Sequence, residues 1–384
     1  MLVTPLRRFV ALYAQMYAAF GVASPFLPAF FASRGLGPEQ IGMLFGAGTA
    51  VRLVSGPLGG RIADRTQALR VVLAACATLA ALVALALLPA GGFAPLFTVG
   101  VLHAAALAPI TTLADALALR AATQRVSGPR FEYGWVRGTG SAIFIVGTLA
   151  SGQAVGAWGL GATILLHAAL LVAAASAALL VPEGRRAVSI SDHAPAATVV
   201  DLLRMPSFRR VMLISALVLG SHAMHDAFAV IRWSAGGVTP AVASALWSES
   251  VAAEVVVFFL VGPWLVDRLT PAGVLALAAG AGVLRWVVMA ATANVLALAL
   301  VQPLHGLTFA ALHLACMRLI AAIVPPRLAA TGQAMYALGA GATTAVLTLA
   351  AGGLYASLGA QGFLLMALLC AAAPPLTLRL RAVR

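Results

Sequence analysis

The sequence predicts an all-α membrane protein of twelve transmembrane helices, arranged as two pseudo-symmetric six-helix bundles. Three observations carry that expectation. First, the 384 residues are 62% hydrophobic and only 9% charged, with a mean hydropathy of +1.01. Soluble domains average about 25% charged residues, so this chain has too few to cover a globule facing water. Second, apolar runs of roughly 20 residues, the length that crosses a bilayer, recur twelve times. Third, the second half of the chain repeats features of the first.

The runs are Phe9–Phe31, Gln40–Gly60, Val71–Leu88, Pro95–Leu117, Thr139–Gly156 and Leu160–Val181, then Val211–Ile231, Val242–Val261, Pro271–Ala291, Val295–Leu319, Thr331–Leu354 and Phe363–Leu378. Turn formers punctuate the joints, as in Gly35-Leu36-Gly37-Pro38 and Pro325-Pro326. The start of the chain leads straight into an apolar run with no small-residue cleavage site, which reads as a first membrane helix and not as a removed signal. Residues 1–182 and 208–384 form the two bundles. Residues 183–207, the longest polar stretch, read as a cytoplasmic linker with a short amphipathic piece at Val199–Leu203.

Orientation follows from arginine, because loops on the cytoplasmic side carry the excess of basic residues. All 24 basic residues are arginines. With the N-terminus inside, 19 of them fall in cytoplasmic loops or termini, and only Arg34 and Arg232 fall in outside loops. Both termini are then cytoplasmic in a bacterial inner membrane. The net charge of +13 does not mark a nucleic-acid binder, since the arginines sit in short clusters between apolar runs and no basic stripe is interleaved with aromatics. Cys76, Cys316 and Cys370 each lie inside an apolar run without a CxxC partner, which argues against a disulfide framework or a metal site. No cofactor is expected.

The repeat has an offset of about 202 residues. Gly35-Leu36-Gly37-Pro38 matches Gly237-Val238-Thr239-Pro240, Asp64-Arg65 matches Asp267-Arg268, and Leu102-His103 matches Leu304-His305. Two six-span halves in the same orientation are expected where a solute binds between bundles that rock. The stretch Gly60-Arg61-Ile62-Ala63-Asp64-Arg65 resembles the loop signature of the major facilitator superfamily. In that reading its glycines allow close helix approach, and its Asp and Arg pair across a cytoplasmic gate. The second copy departs, reading Gly262-Pro263-Trp264-Leu265-Val266-Asp267-Arg268.

A narrower resemblance is to the branch that holds phenylpropionate permease, near the lactose and nucleoside proton symporters. Its matching stretches are Leu113–Leu119, Tyr133–Ser141, Val251–Val255, Leu284–Trp286 and Leu304–Ala310. The resemblance implies the major facilitator fold and a small organic solute, with an aromatic or other monocarboxylate favoured. In the seventh span it implies an aromatic pair after the first histidine, where this chain has Met224-His225-Asp226.

Ionisable residues inside a span need a partner or a watery cavity, because each costs at least about 2.5–3.5 kcal/mol on insertion. Arg52, about twelve residues into the second span, either grips a substrate carboxylate through two parallel hydrogen bonds or locks helices together. Glu254 in the eighth span either holds the coupling proton or clamps to Arg285 on the ninth, and Glu249, on a different face of the same helix, is a further candidate for proton coupling. Burial of a carboxylate favours its neutral form, the property that proton coupling requires. His222, His225 and Asp226 share one face of the seventh span and read as cavity-lining solute and proton groups. They lack the third and fourth ligands of a metal site.

His103 and His305 are the symmetric pair from spans four and ten, with Gln302 one turn before His305. Each is open to a solute-binding or a packing role, whereas His167 and His313 read as structural. Gly60, Asp64, Arg65, Asp115, Arg137, Asp267 and Arg268 read as gate residues, with Arg120 in the network of Asp115. Arg318 is expected to extend toward the interface.

These readings converge on a secondary active transporter, with proton-coupled symport of a small organic solute by alternating access in a functional monomer. An efflux antiporter for amphipathic compounds and a sugar or nucleoside symporter are the alternatives. An intramembrane enzyme is disfavoured, since neither HExxH nor GxSxG occurs in a suitable setting. All of it presumes that the polar side chains at bilayer depth face a shared watery chamber.

Overall fold

Repetition is visible in the backbone itself. In the computed structural model, which describes residues 4–123, 131–183 and 199–380, Gly35 and Gly237 adopt φ of 86° and 85° in equivalent turns. Among the described residues only two non-glycines have positive φ, Gln67 at 56° and Thr270 at 63°. They too are repeat equivalents, three residues after Asp64 and Asp267. Left-handed backbone is disfavoured for residues with a Cβ, so its recurrence at matched sites is a conformational echo of the sequence repeat. Arg125, Arg130, Arg185, Arg186, Arg381, Arg384 and most of the expected linker lie outside the described residues.

No strand occurs among the described residues. The first compact unit comprises Met1–Ile190 with Thr239–Ala245. Its helices are α1 (Pro5–Ser33), α2 (Pro38–Thr66), α3 (Leu69–Ala86), α4 (Phe93–Thr123), α5 (Tyr133–Trp158) and α6 (Gly161–Leu180). The second unit comprises Ser191–Val238 with Leu246–Arg384. After the short α7 (Val199–Arg204) come α8 (Pro206–Gly220) and α9 (His222–Ala235), which together make one span broken at Ser221. Next is α10 (Pro240–Val256), which belongs to this unit from Leu246 onward, then a π turn at Val257–Val261 and α11 (Gly262–Ala291). Then follow α12 (Val295–Val301), a second π turn at Gly306–Ala311, α13 (Leu312–Ile323), α14 (Ala329–Leu358), α15 (Gly362–Ala371) and α16 (Pro374–Leu378).

Ten stretches of the described chain are long and apolar enough to cross a bilayer. Two of them, Pro240–Ala291 and Pro326–Leu378, have 52 and 53 residues. At 1.5 Å per residue a straight helix of that length would run about 78 Å, far beyond the roughly 30 Å hydrocarbon core. Each is interrupted where the backbone leaves the helix, at Thr270 and at Gly359 (φ 52°). The ten stretches therefore accommodate the twelve expected crossings.

Both units pair their helices in the same order. In the first, α1 lies against α5 and α6, α2 against α4, and α3 against α4 and α6. In the second, α8 and α9 lie against α14, α11 against α15 and α13, and the two π turns against each other. Small residues permit this closeness, since helices in lipid gain little from apolar burial and associate by tight packing and hydrogen bonds. A Cβ at Gly147 of α5 would lie 2.6 Å from the carbonyl oxygen of Ala18 in α1. On the same face Thr148 and Ser151 donate to the carbonyls of Gly21 (3.0 Å) and Val22 (2.8 Å). Outward faces stay apolar, with Leu260, Leu296, Leu300 and Trp158 all more than two-thirds exposed.

The two arginines expected on the outside have a structural task. Arg34 follows α1 and donates to the Leu88 carbonyl (2.7 Å) just past the end of α3. Arg232, expected in a loop, lies instead in the last turn of α9 and donates to the carbonyls of Met289 (2.5 Å) and Ala290 (3.2 Å) at the end of α11. In each unit the first span thus caps the third, where four carbonyls lack helical partners and the helix dipole is negative. We expect Arg232→Gln to destabilise the protein by about 1.5 kcal/mol, the worth of one hydrogen bond from a charged donor. The midpoint of thermal unfolding in detergent measures this, and an unshifted midpoint would remove the cap from the account.

Candidate functional site

Polar side chains at bilayer depth form one set in each unit. In the first unit Arg52 sits in mid-α2, and its side chain remains accessible. Among the described residues it makes no hydrogen bond or ion pair. It borders a pocket of about 30 Å³ lined also by Leu27, Phe31, Phe45 and His103, room for one or two waters. His103 is buried, with its Nε2 3.0 Å from Nε2 of His167. The other ring nitrogen of His167, Nδ1, lies 2.8 Å from the carbonyl oxygen of Ala19 and must donate to it. With a neutral His167 its Nε2 is therefore an acceptor, and His103 donates across the pair. His103 then keeps a bare Nδ1 in the neighbourhood of Arg52.

The second unit is organised by Arg285, fully buried on α11. Its guanidinium donates to Oε1 of Gln302 (2.7 Å), to Nε2 of His225 (3.3 Å) and to Nδ1 of His305 (3.1 Å), and lies over the Trp286 ring at 4.6 Å. Arginine only donates, so both contacted imidazole nitrogens are acceptors. A neutral imidazole that accepts on one nitrogen carries its proton on the other. That proton points at Oδ1 of Asp226 from His225 (3.1 Å) and at Oε2 of Glu254 from His305 (3.6 Å). Each carboxylate is thus one histidine away from Arg285. Asp226 remains 59% accessible within its span, whereas the His225 side chain is 4% accessible.

Supporting contacts hold the rings. His225 stacks on Trp247 at 4.9 Å, and His222 packs edge-on against His305 at 5.2 Å while its Nε2 meets Oγ1 of Thr308 at 2.9 Å. Ser250 donates to the same Gln302 oxygen that Arg285 uses (3.1 Å), and the buried Nε2 of Gln302 has no hydrogen-bond partner among the described residues. At the break of the seventh span Ser221 receives the Trp286 indole N–H (2.9 Å) and the Cys370 thiol (3.3 Å) and donates to Val218 (2.7 Å).

Several expectations change against this geometry. Arg285 makes no direct pair with Glu254 among the described residues, because His305 stands between them. Glu249 makes no hydrogen bond or ion pair among the described residues, consistent with its different face on α10. Asp64 pairs with Arg120 of its own unit (3.9 Å), and Asp267 with Arg318 (2.9 Å), so Arg318 is an ion-pair partner and not a free interfacial cation. Arg65 has no recorded partner among the described residues, and Arg268 lies over Trp264 at 5.9 Å. Gly60 faces open space; its neighbour Gly59 makes the close approach, with a Cβ there falling 2.5 Å from Pro109. Asp115 accepts from Tyr13 (2.5 Å) and Tyr133 (2.7 Å) and lies 3.8 Å from Arg137, which also reaches the Tyr17 hydroxyl.

Trp247 and Ser250 escaped the reading of the sequence, although their spacing to Glu254, seven and four residues, places all three on one helical face. No group of three or more potential metal ligands occurs among the described residues.

A multi-pass helical protein that keeps a few charged side chains at bilayer depth, inside two units that share one order of helix pairing, has the build of a membrane transporter, and its relatives are transporters and not enzymes. The chain belongs to the MFS_1 like family, whose model matches residues 6–366. It is 32% identical over 387 residues to the "Probable 3-phenylpropionic acid transporter" of Escherichia coli (strain K12), covering 98% of each chain. It is 24% identical over 303 residues to the "Uncharacterized transporter YwbF" of Bacillus subtilis (strain 168), covering 79% of this chain and 74% of that one. In fold it is similar to the nucleoside transporter NupG, with a TM-score of 0.85 at 16% identity, over 99% of this chain and 100% of the other. A bacterial homologue of the human lysosomal transporter Spinster gives 0.73 at 16% identity, over 97% of this chain and 95% of that one.

Proposed function

We propose that the protein imports a small aromatic or other monocarboxylate together with a proton, by alternating access of two bundles, residues 1–182 and 208–384, joined by residues 183–207. One observation carries the reading: Arg52 is an accessible guanidinium at mid-span, without a hydrogen-bond or ion-pair partner among the described residues. An unpaired charge in a span is costly, and a bound carboxylate would supply the bidentate partner that its planar fork prefers. The name of the Escherichia coli relative supports a phenyl-bearing acid.

In the second unit Asp226 and Glu254 serve as the proton sites. Arg285 occupies one nitrogen of each neighbouring histidine, so a proton arriving there lands on a carboxylate without breaking a bond to the guanidinium. One cation faces two anions, and uptake of one proton leaves the set neutral, which lowers the barrier to moving it through a low-dielectric environment. Gly60, Asp64, Arg65, Asp115, Arg137, Asp267 and Arg268 serve the inner gate, with both termini cytoplasmic in an inner membrane and a monomer as the working form.

Purified protein in proteoliposomes tests this. With an inward proton gradient we expect 3-phenylpropionate to accumulate, and a protonophore to abolish accumulation while leaving exchange of labelled for unlabelled solute. Accumulation indifferent to the gradient would refute the coupling.

A further inference from the structure

The repeat offset drifts by one residue inside the eighth span. Pro38 and Pro240 are 202 residues apart, whereas Asp64 and Asp267 are 203 apart, as are Gln67 and Thr270. The eighth span therefore holds one residue more than the second over the matched interval. The structure shows where it goes: α2 runs as one helix from Pro38 to Thr66, but its counterpart contains the π turn Val257–Val261. A π turn is the form in which a helix absorbs an additional residue, and such turns concentrate at functional sites. Its neighbour is the other π turn, Gly306–Ala311 in the tenth span.

The contact between these turns has no room for a side chain. A Cβ at Gly306 would lie 2.7 Å from the Ala253 carbonyl oxygen and 2.8 Å from Cγ2 of Val257. Ala253 precedes Glu254, and Gly306 follows His305. This close contact thus borders, on both spans, the pair whose atoms meet at 3.6 Å. Farther along, Asp267 meets Arg318. In a continuous α-helix one residue turns the face by about 100°, so removing the additional residue would swing Asp267 away from its present bearing relative to Glu254.

We infer that the paired π turns, with Gly306 at their contact, position Glu254 against His305 while letting Asp267 keep its own ion pair. Gly306 is a positioning residue for the proton site, and its effect on transport rests on the coupling reading above.

The test uses the full chain in lipid. The carboxyl and carboxylate bands of Glu254 are identified in infrared difference spectra by their loss in Glu254→Gln, and then compared in Gly306→Ala and in the control Gly280→Ala, where a Cβ meets nothing within 4 Å. We expect a shifted Glu254 band in Gly306→Ala only, a fall of at least tenfold in gradient-driven accumulation, and solute exchange within twofold of the unmodified protein. Deletion of Phe259, whose side chain is 60% exposed, should heal the first π turn and shift the same band, and it carries the test if Gly306→Ala does not fold. An unmoved Glu254 band in the folded variant overturns the inference. A shifted band with no gradient-driven accumulation even in the unmodified protein would leave the positioning standing and remove the coupling.

Discussion

Replacing Arg285 by glutamine is expected to lower the unfolding free energy by about 3–5 kcal/mol, the usual penalty for removing one member of a buried charged network, and to abolish gradient-driven uptake. The guanidinium is fully buried and serves three acceptors at once, Gln302, His225 and His305. Its loss leaves the His225 and His305 acceptors without that donor, removes one of the two donors to Gln302, and leaves two carboxylates without their cation. Arg285→Lys should fare little better, because one ammonium cannot span the separate sites that a planar fork reaches. Thermal unfolding of purified variants supplies the measurement. Adding Asp226→Asn or Glu254→Gln, one at a time, to Arg285→Gln should restore part of the lost stability, and the double-mutant difference for each pair reports the coupling between those sites. Unfolding of Arg285→Gln at the temperature of the unmodified protein would contradict the hub assignment.

Arg52 should behave in the opposite way. Arg52→Gln is expected to weaken solute binding by about 10- to 150-fold, the range spanned by the 1.5–3 kcal/mol of hydrogen bonds to a charged group. The solute-free protein should unfold no earlier than the unmodified one, since Arg52 has no protein partner to lose among the described residues. A site held ready for ligand carries such uncompensated charge, and its removal relieves it. Equilibrium binding of labelled 3-phenylpropionate to purified protein reads the first effect and thermal unfolding the second. Intact binding with earlier unfolding would make Arg52 a helix lock instead.

The contrast between these two arginines shows why the sites were harder to read than the spans. Depth in a span is a one-dimensional property, and both residues announce themselves as arginines among apolar neighbours. Their environments are not one-dimensional. A direct clamp between Arg285 and Glu254 is one of the two readings the sequence offers, yet His305 intervenes. Asp64 and Asp267 each find an arginine on the fourth span of their own unit, partners that the loop motif does not name. Arg232 was placed in a loop by its position between apolar runs, but the helix continues past it so that its fork can cap α11. In each case the side chain's reach, several ångströms beyond its Cα, decided the partner.

The sequence by itself determined that the chain is a bundle of membrane-crossing helices, roughly where each crossing lies, and that the second half echoes the first. Hydropathy, arginine placement and turn residues are written along the chain, and lipid enforces them without reference to what packs on what. Only the tertiary structure decided which polar groups meet. That choice depends on the rotation of each helix about its axis, where one residue is worth about 100°, and a π turn that shifts it leaves no mark on hydropathy.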